Sequence, residues 1–213
     1  MFEGFIKMVD VVYTYENPVS ERDIDNIVAC LNNDGVIAYP TDVNWAFGVK
    51  ATSKKGLDSV LALKPNHPSE KPLSLIFHSI SQVSEYAEVD NVAYRVLKKI
   101  LPGPYTVILP RTKSLPKQLD DKRKVLGVRI PKREILKHVV EKLGVPLATT
   151  SVYWEKKYEG PVFGYQIEEM FGHALDMVVD LGGEMEARET TILDMSEGEI
   201  NVIRQGVGSI EGL

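Results

Sequence analysis

Residues 35–48, G-V-I-A-Y-P-T-D-V-N-W-A-F-G, place a hydroxyl and a carboxylate directly after an apolar run. Residues 35–39 have the branched and aromatic content of a buried strand. Since Pro40 has no N–H for a ladder, pairing is expected to stop there and leave Thr41 and Asp42 exposed at a sheet edge. Groups at such edges commonly bind ligands. The same pattern also fits a plain turn between two strands, so the segment alone leaves both readings open.

Two arginines lie in apolar surroundings. Arg129 falls inside a predicted strand over residues 125–130, where burying an unpaired charge is costly, so an anionic partner is expected. That partner is either an internal carboxylate, with Asp42 and Asp194 as candidates, or the carboxylate of a ligand. Arg204 ends a predicted strand over residues 201–204, a position where arginines are commonly exposed.

Hydroxyls and loop lysines form a second set of candidates. Thr149, Thr150 and Ser151 follow one another at the end of a predicted strand. They can hold a phosphate or a ribose, and they also fit an ordinary Ser/Thr turn. Lys64 and Lys71 bracket a proline-interrupted loop, which presents two cations either to an anion or only to solvent.

Composition narrows the class of protein. The 213 residues, 44% of them apolar, are enough for a single domain with a substantial core. The one cysteine, Cys30, lies among apolar neighbours and fits a small core residue of a reduced, cytoplasmic protein. No run of 18 apolar residues predicts a membrane span. The sequence also lacks the patterns of a metal cluster, a nucleophile elbow and a Gly-rich phosphate loop.

Charge is unevenly distributed along the chain. The formal net charge is -5, yet residues 95–137 carry 13 Lys and Arg against 3 Asp and Glu. This segment predicts either a surface that attracts a polyanion or a set of separately solvated faces.

Periodicity predicts a mixed α/β sheet with helices on its faces. Ser20 and Asp90 are expected to cap two of the helices, and Gly144 to end a third. The predicted helices cover residues 20–33, 53–63, 91–101 and 134–143. The predicted strands cover residues 35–39, 73–77, 105–109, 125–130, 147–150, 177–181, 191–193 and 201–204.

Six segments, taken in order, resemble the YrdC family of threonylcarbamoyl-AMP synthases. The family pattern reads Y-P-T-[DE], K-x-R-P before a P-L strand, P-G-P-x-T, V-R-x-P, T-S-A-N, S-T-x-x-D and R-x-G. This chain has Y-P-T-D, K-P-N-H-P-S-E-K-P-L-S, L-P-G-P-Y-T, V-R-I-P, T-T-I-L-D and R-Q-G. Three further runs resemble the YciO branch: V-D-N-V-A-Y-R, R-K-V-L-G-V-R-I-P and V-V-D-L-G-G.

The resemblance implies one YrdC-like domain over residues 1–213, built on a twisted open mixed sheet with a large concave surface. It implies that threonine and bicarbonate form a carbamate that attacks ATP, with Mg²⁺ carried by the nucleotide. No protein nucleophile or metal site is then needed, because the protein only aligns the reactants and neutralises charge. The implied nucleotide-binding residues are Lys64, His67, Lys71, Thr149, Ser151 and Arg204, and the implied threonine-binding residues are Thr41, Arg129 and Thr190.

The chain departs from the family pattern at two places. His67 stands at the arginine of K-x-R-P, with Lys64 one residue too far upstream, and Val152-Tyr153 replace Ala-Asn. Two alternatives therefore stay open beside the synthase, whose product would serve tRNA modification. One is a module of the same fold that binds tRNA or double-stranded RNA. The other is a nucleotide-dependent enzyme of the YciO type that acts on another small acid.

Overall fold

The computed structural model describes residues 9–63, 73–119, 124–153, 160 and 162–213. In these residues ten strands form a single sheet in the order β1-β8-β2-β3-β7-β4-β6-β5-β9-β10. The strands are β1 Asp10–Tyr13, β2 Ile37–Pro40, β3 Trp45–Lys50, β4 Ser74–Ile76, β5 Tyr105–Pro110, β6 Val125–Arg129, β7 Leu147–Ser151, β8 Met177–Asp180, β9 Thr191–Asp194 and β10 Asn201–Arg204. The helices are α1 Glu21–Asn32, α2 Lys54–Ala62, α3 Ile80–Tyr86, α4 Asn91–Ile100, α5 Glu134–Leu143 and α6 Gly164–Phe171.

The sheet is mixed, as the sequence predicts. Parallel pairing joins β1 to β8, β2 to β8, β4 to β6 and β5 to β9. The pairs β2–β3, β3–β7, β4–β7, β5–β6 and β9–β10 are antiparallel. The predicted α/β class with an open mixed sheet and flanking helices is therefore confirmed.

The capping residues predicted from the sequence mark the ends of three helices. The Ser20 hydroxyl accepts a hydrogen bond from the Asp23 amide at the start of α1. The carboxylate of Asp90 accepts from the amides of Val92 and Ala93 at the start of α4. Gly144 ends α5 with φ 73°, a left-handed conformation that glycine adopts at little cost. Each predicted cap is confirmed because it depends only on residues within one helical turn.

The sequence prediction missed four elements, β1, β3, α3 and α6. Helix α3 is only seven residues long, too short for a clear periodic pattern. Helix α6 begins at Gly164 after Phe163, which is not one of the usual capping residues. Strand β1 is an edge strand with only half-buried central residues. Strand β3 is buried on both sides, so its sequence does not alternate.

Two apolar cores lie on opposite faces of the sheet. Helices α1 and α5 pack on one face, against Ile37, Ile76, Leu147 and Met177. The second core contains inward residues of α2, α3, α4 and α6, packed on the other face against residues such as Val128. Trp45 and Phe47 belong to this second core, and Cys30 is half-buried at the margin of the first.

The basic segment is divided between these two faces. Exposed Arg95, Lys98 and Lys99 lie on α4, whereas Lys137 lies on α5. Lys137 pairs with Glu134 at 3.7 Å. The cations of α4 and Lys137 of α5 therefore do not form one continuous surface.

Candidate functional site

Arg129 ends strand β6 with its side chain only 5% exposed. It lies on the same face as Gly127, because the two residues are two positions apart in the strand. Burial lowers the pKa of Arg129 below its usual value, and the Asp42 carboxylate acts against that shift. The guanidinium therefore pays a desolvation cost that one neighbouring carboxylate offsets only in part.

The Nε and Nη2 atoms of Arg129 are both buried without a hydrogen-bond partner. These two atoms form one edge of the guanidinium, and such an edge can donate two parallel hydrogen bonds to a carboxylate or phosphate. Asp42 Oδ1 lies 3.6 Å from Nη2, close enough for an ion pair but beyond hydrogen-bond length, and it is also buried without a partner. The predicted internal partner is therefore Asp42, and the contact leaves the binding edge of Arg129 unused.

Asp42 and Thr41 belong to a turn that is more buried than the sequence predicts. Thr41 is 1% exposed, and its hydroxyl donates to the Asn44 carbonyl at 2.7 Å. The same hydroxyl accepts from the amides of Val43 and Asn44. The prediction that Thr41 and Asp42 are exposed is wrong, because the hydroxyl folds back on its own turn; the role of Thr41 toward a ligand stays a prediction.

Residues beyond the turn fix its position. The Lys132 amide donates to Asp42 Oδ2 at 3.3 Å, and Arg133 Nε donates to the Thr41 carbonyl at 2.9 Å. Arg133 also pairs with Glu16 at 2.9 Å. The segment after β6 thereby holds the Asp42 carboxylate beside the arginine that ends β6.

Tyr39 and Thr149 form the next part of the site. The two hydroxyl oxygens are 2.6 Å apart, and Thr149 donates to the Phe47 carbonyl. Because that bond uses the only proton of Thr149, Tyr39 must donate to Thr149. Burial raises the pKa of Tyr39 to about 12, and the charge of Arg129 acts in the opposite direction. Thr149 thus faces this region as an acceptor, so a nucleotide contact would need a donor on the ligand.

Arg204, Thr190 and Thr106 lie on the other side of Arg129. Arg204 donates through Nε and Nη2 to the Thr190 carbonyl and pairs with Glu189. The Thr190 and Thr106 hydroxyl oxygens are 3.1 Å apart. The positive charge of Arg204 contributes to the lowered pKa of Arg129, so both cations act on the same region.

Strands β4 and β6 supply the base of this region. Gly127 is paired with Ser74, and a Cβ atom on Gly127 would lie 3.0 Å from the Ser74 hydroxyl and 3.4 Å from Thr106 Cγ2. Ser74 is also paired with Thr149. Glycine at this position therefore lets the side chains of Ser74 and Thr106 approach the strand closely.

The remaining predicted site residues have separate positions. Strand alternation puts Thr149 and Ser151 on one face and Thr150 on the other, so the three hydroxyls do not act as one group. Ser151 is exposed. Lys64, His67 and Lys71 lie outside the described residues. Val152 is buried and Tyr153 is 75% exposed, and the Asn44 side-chain amide donates to the Val152 carbonyl at 3.3 Å.

Sequence reasoning did not select Tyr39, Ser74, Thr106 or Gly127 as parts of the site. Strand alternation could have indicated Ser74 and Thr106, because each precedes a buried apolar residue in its strand. Tyr39 is the first residue of the Y-P-T-D motif, although its residue type alone is that of an ordinary core aromatic. Among the described residues no group of three metal-ligating side chains occurs, and no helix is long and apolar enough to span a membrane.

These features define a class: an α/β domain whose mixed sheet carries, among hydroxyl side chains, a buried arginine with an Nε–Nη2 edge that has no hydrogen-bond partner. The family model for Sua5, YciO and YrdC, described as telomere recombination, matches residues 29–206. The chain belongs to this family.

Two relatives and two solved structures show what this chain is similar to. The uncharacterized protein YciO of Escherichia coli is 33% identical over 208 residues, 96% of this chain and 98% of its own length. The crystal structure of E. coli YciO superimposes with a TM-score of 0.87 at 30% identity, over 96% of this chain and 98% of that one. Threonylcarbamoyl-AMP synthase of Mus musculus is 29% identical over 84% of this chain and 65% of its own length. The crystal structure of P. abyssi Sua5 complexed with L-threonine shares the fold, with a TM-score of 0.80 at 23% identity over 94% of this chain and 58% of that one.

Proposed function

We propose that the protein forms threonylcarbamoyl-AMP from ATP, threonine and bicarbonate, for the threonylcarbamoyl-adenosine modification of tRNA. The observation that carries the proposal is the Nε–Nη2 edge of Arg129, which is buried and without a hydrogen-bond partner. Such an edge fits the carboxylate of a small acid. Kinship with the mouse synthase, which is 29% identical, supplies the reaction.

The chemistry makes limited demands on the protein. The threonine amine and bicarbonate combine into a carbamate with loss of water. A carbamate oxygen then attacks the α-phosphorus of ATP, and the bond to the β-phosphate breaks to release pyrophosphate. Both steps depend on alignment and on neutralising negative charge, which arginines and hydroxyl groups can provide without a covalent intermediate.

The two arginines suggest how the substrates divide the site. Arg129 would hold the carboxylate of threonine. Arg204 and the hydroxyls of Thr190 and Thr106 lie on the side from which an anionic nucleotide would approach. ATP would bring Mg²⁺ on its phosphates, and Lys64, His67 and Lys71 remain proposed phosphate contacts.

The test is pyrophosphate release with ATP, Mg²⁺, threonine and bicarbonate, each omitted in turn. The expected result is release only in the complete mixture, with threonylcarbamoyl-AMP detected by mass spectrometry. Equal release without threonine or without bicarbonate would contradict the proposal.

A second candidate is a nucleotide-dependent enzyme of the YciO type that acts on another small acid. It is favoured by the 33% identity to YciO and by the buried Val152 and exposed Tyr153, which occupy the positions of the Ala-Asn pair. The same assay separates the two functions, because ATP turnover with a different amino acid or acid in place of threonine would support the second.

A further inference from the structure

We propose that the open edge of strand β1 and the groove beside it bind an extended peptide segment of a partner protein that carries a Lys or Arg side chain. The segment would add to the sheet as a further strand and place its cation between β1 and helix α1. Five strands separate β1 from β6, which carries Arg129, so this surface is distinct from the proposed ligand site. The inference therefore does not depend on the proposed function.

The first argument is that β1 has free backbone groups on its outer side. Strand β1 lies at one end of the sheet and pairs only with β8 in the described part of the chain. The amides of Asp10 and Thr14 donate to carbonyls at the two ends of β8. Because N–H directions alternate along a strand, the N–H and C=O groups of Val11 and Tyr13 point away from β8. These groups can pair with an added strand.

The other end of the sheet is less suited to strand addition. Strand β10 has a register shift between Val202 and Arg204, an irregularity of the kind that protects an edge from pairing. Strand β1 keeps a regular register with β8 over all 4 of its residues. It also contains neither proline nor lysine, two residue types that commonly block an edge. Of the two edges, β1 is therefore the one that can accept another strand.

The second argument is the groove between β1 and α1. It has a volume of about 640 Å³ and opens to solvent. Asp10 and Val12 of β1 line one side, and Val12 packs with the core that α1 and α5 cover. The facing side is lined by residues at helical spacing along α1 and by its C-cap, Asn26, Ala29, Cys30 and Asn33. Alternate side chains of an added strand would enter this groove.

The third argument is charge, which selects the side chain that enters the groove. Asp10 and Asp176 both line it, and none of the described residues that line it is Lys or Arg. Asp176 Oδ2 accepts from the Val36 amide at 2.8 Å, which holds that carboxylate in place. A Lys or Arg side chain on the added strand would compensate these two negative charges.

Charge also argues against a second copy of this chain as the occupant. A copy that paired through its own β1 would place its own Asp10 on the groove side of the sheet, because side chains alternate between the two faces. The groove would then hold additional carboxylates and no cation to balance them. A partner segment with a basic residue fits the same space with opposite charge.

The test uses synthetic peptides and fluorescence anisotropy with the wild-type protein. The probe is the fluorescein-labelled peptide S-V-T-V-K-V-T-V-S, and matched peptides carry Glu or Gln in place of Lys. We expect the Lys peptide to bind about three- to tenfold more tightly than the Glu peptide, with the Gln peptide between them, because ion pairs near the surface have this strength. No binding of the Lys peptide at about 1 mM, or equal affinity for all three peptides, would overturn the inference.

A second measurement tests strand addition itself and needs no variant of the protein. One version of the Lys peptide carries N-methyl groups on the two Val residues next to Lys, and another carries them on Lys and the following Thr. Only one of these sets faces β1 in an added strand, so one version is expected to lose binding and the other to keep it. Equal effects of the two methylations would overturn strand addition. In amide NMR spectra the largest shifts are expected at Val11 and Tyr13, and shifts confined to other strands would contradict the assignment.

Asp10→Asn tests the charge, because Asp10 is exposed and its amide points to β8. We expect this variant to reduce the preference for the Lys over the Glu peptide about two- to threefold and to bind the Gln peptide as wild type does. Asp58→Asn is the control, since it makes the same charge change at an exposed position of α2, on the other face of the sheet. An unchanged preference in the Asp10 variant would argue against a cation in the groove.

Sedimentation of the free protein tests the competing occupant. We expect the edge of β1 to be free, so that the sedimentation coefficient does not fall when the Lys peptide is added. A dimer that the peptide dissociates would mean that a second copy covers this edge, and it would overturn the assignment to a basic partner segment.

Discussion

A buried guanidinium with two unused donors is an unfavourable arrangement unless a ligand completes it. Arg129 is 5% exposed, and its ion pair with Asp42 leaves Nε and Nη2 without hydrogen bonds. Arg204 differs, because Thr190 and Glu189 already occupy its donors. This difference in hydrogen bonding indicates that Arg129 is the better candidate for a ligand contact and that Arg204 is a cation held beside it.

The substitution Arg129→Lys tests this difference. Lysine keeps the positive charge beside Asp42 but has no planar edge with two parallel donors. We expect threonine affinity to fall about tenfold or more, while the unfolding free energy changes by about 1 kcal/mol or less. Calorimetry and chemical denaturation measure the two effects. Arg188→Lys, at an exposed surface pair, is the control, and undiminished affinity in the Arg129 variant would argue against the ligand contact.

Tyr39 gives a prediction in pH. Its pKa is about 12 in the folded protein, above the ordinary value of 10.0, so the folded state favours the neutral phenol. The stabilisation is complete below pH 10 and is lost as the pH rises toward 12, because the unfolded chain ionises first. We expect the unfolding free energy of wild type to fall by about 2–3 kcal/mol more than that of Tyr39→Phe across this interval. Denaturation curves at matched pH values give the difference, and parallel curves would show that the phenol is not shielded.

At the scale of elements, the site depends on the pairing of β4, β5, β6 and β9. Their alternation places Ser74, Gly127, Thr106 and Arg129 on one face, while Val128 and Leu193 pack into the core on the other. The same strands therefore contribute apolar side chains to the core on one face and polar side chains to the site on the other. A change on the polar face is expected to affect binding more than stability.

Gly127→Ala tests that separation. The added methyl group would lie 3.0 Å from the Ser74 hydroxyl, so Ser74 must shift by a small amount. We expect threonine or ATP affinity to fall severalfold, whereas stability changes by about 1 kcal/mol or less because alanine is favoured over glycine in a strand. Gly183→Ala is the matched control, since its methyl group would meet nothing within 4 Å. A binding constant identical to wild type would mean that Gly127 does not form the base of the ligand site.

At the scale of the whole molecule, net charge says little about nucleic-acid binding. The formal charge is -5, and within the basic segment that suggested a polyanion surface the cations of α4 and Lys137 of α5 lie on opposite faces. Lys142 of α5 pairs with Glu21 and Asp25, and these contacts raise its pKa. The exposed cations of α4 remain as one candidate RNA contact in the described part of the chain.

We expect double-stranded RNA to bind weakly and with a shallow dependence on salt. Arg95, Lys98 and Lys99 would neutralise about two to three phosphates, which gives a slope of about -2 to -3 in log K against log salt. Lys98→Gln is expected to reduce the slope by about 1, and Lys137→Gln on the opposite face to leave it unchanged. Fluorescence anisotropy over a salt series measures both. A slope near -6 would mean that a larger cationic surface exists and would restore the RNA-binding alternative.

The sequence by itself determined most of the strands and most of the helices, although not the central strand β3. Several features were predictable because each depends on neighbours within a few residues. They are the N-caps of α1 and α4, the end of α5 at Gly144 and the strand that contains Arg129. Sequence also showed that Arg129 needs an anion, since that follows from one charge in an apolar strand. The order of the motifs also identified the family, because motif order can be read from the amino-acid sequence without the structure.

Only the tertiary structure decided which groups meet. Asp42 follows β2 and Arg129 ends β6, and three strands, β3, β7 and β4, lie between β2 and β6 in the sheet. Strand order and packing bring the two side chains together, and the sequence pattern could not choose between Asp42 and Asp194. The same applies to Thr149, whose hydroxyl looked available until folding brought it to the carbonyl of Phe47, 102 residues away. A hydrogen bond depends on distances between groups far apart in sequence, and those distances exist only once the sheet has formed.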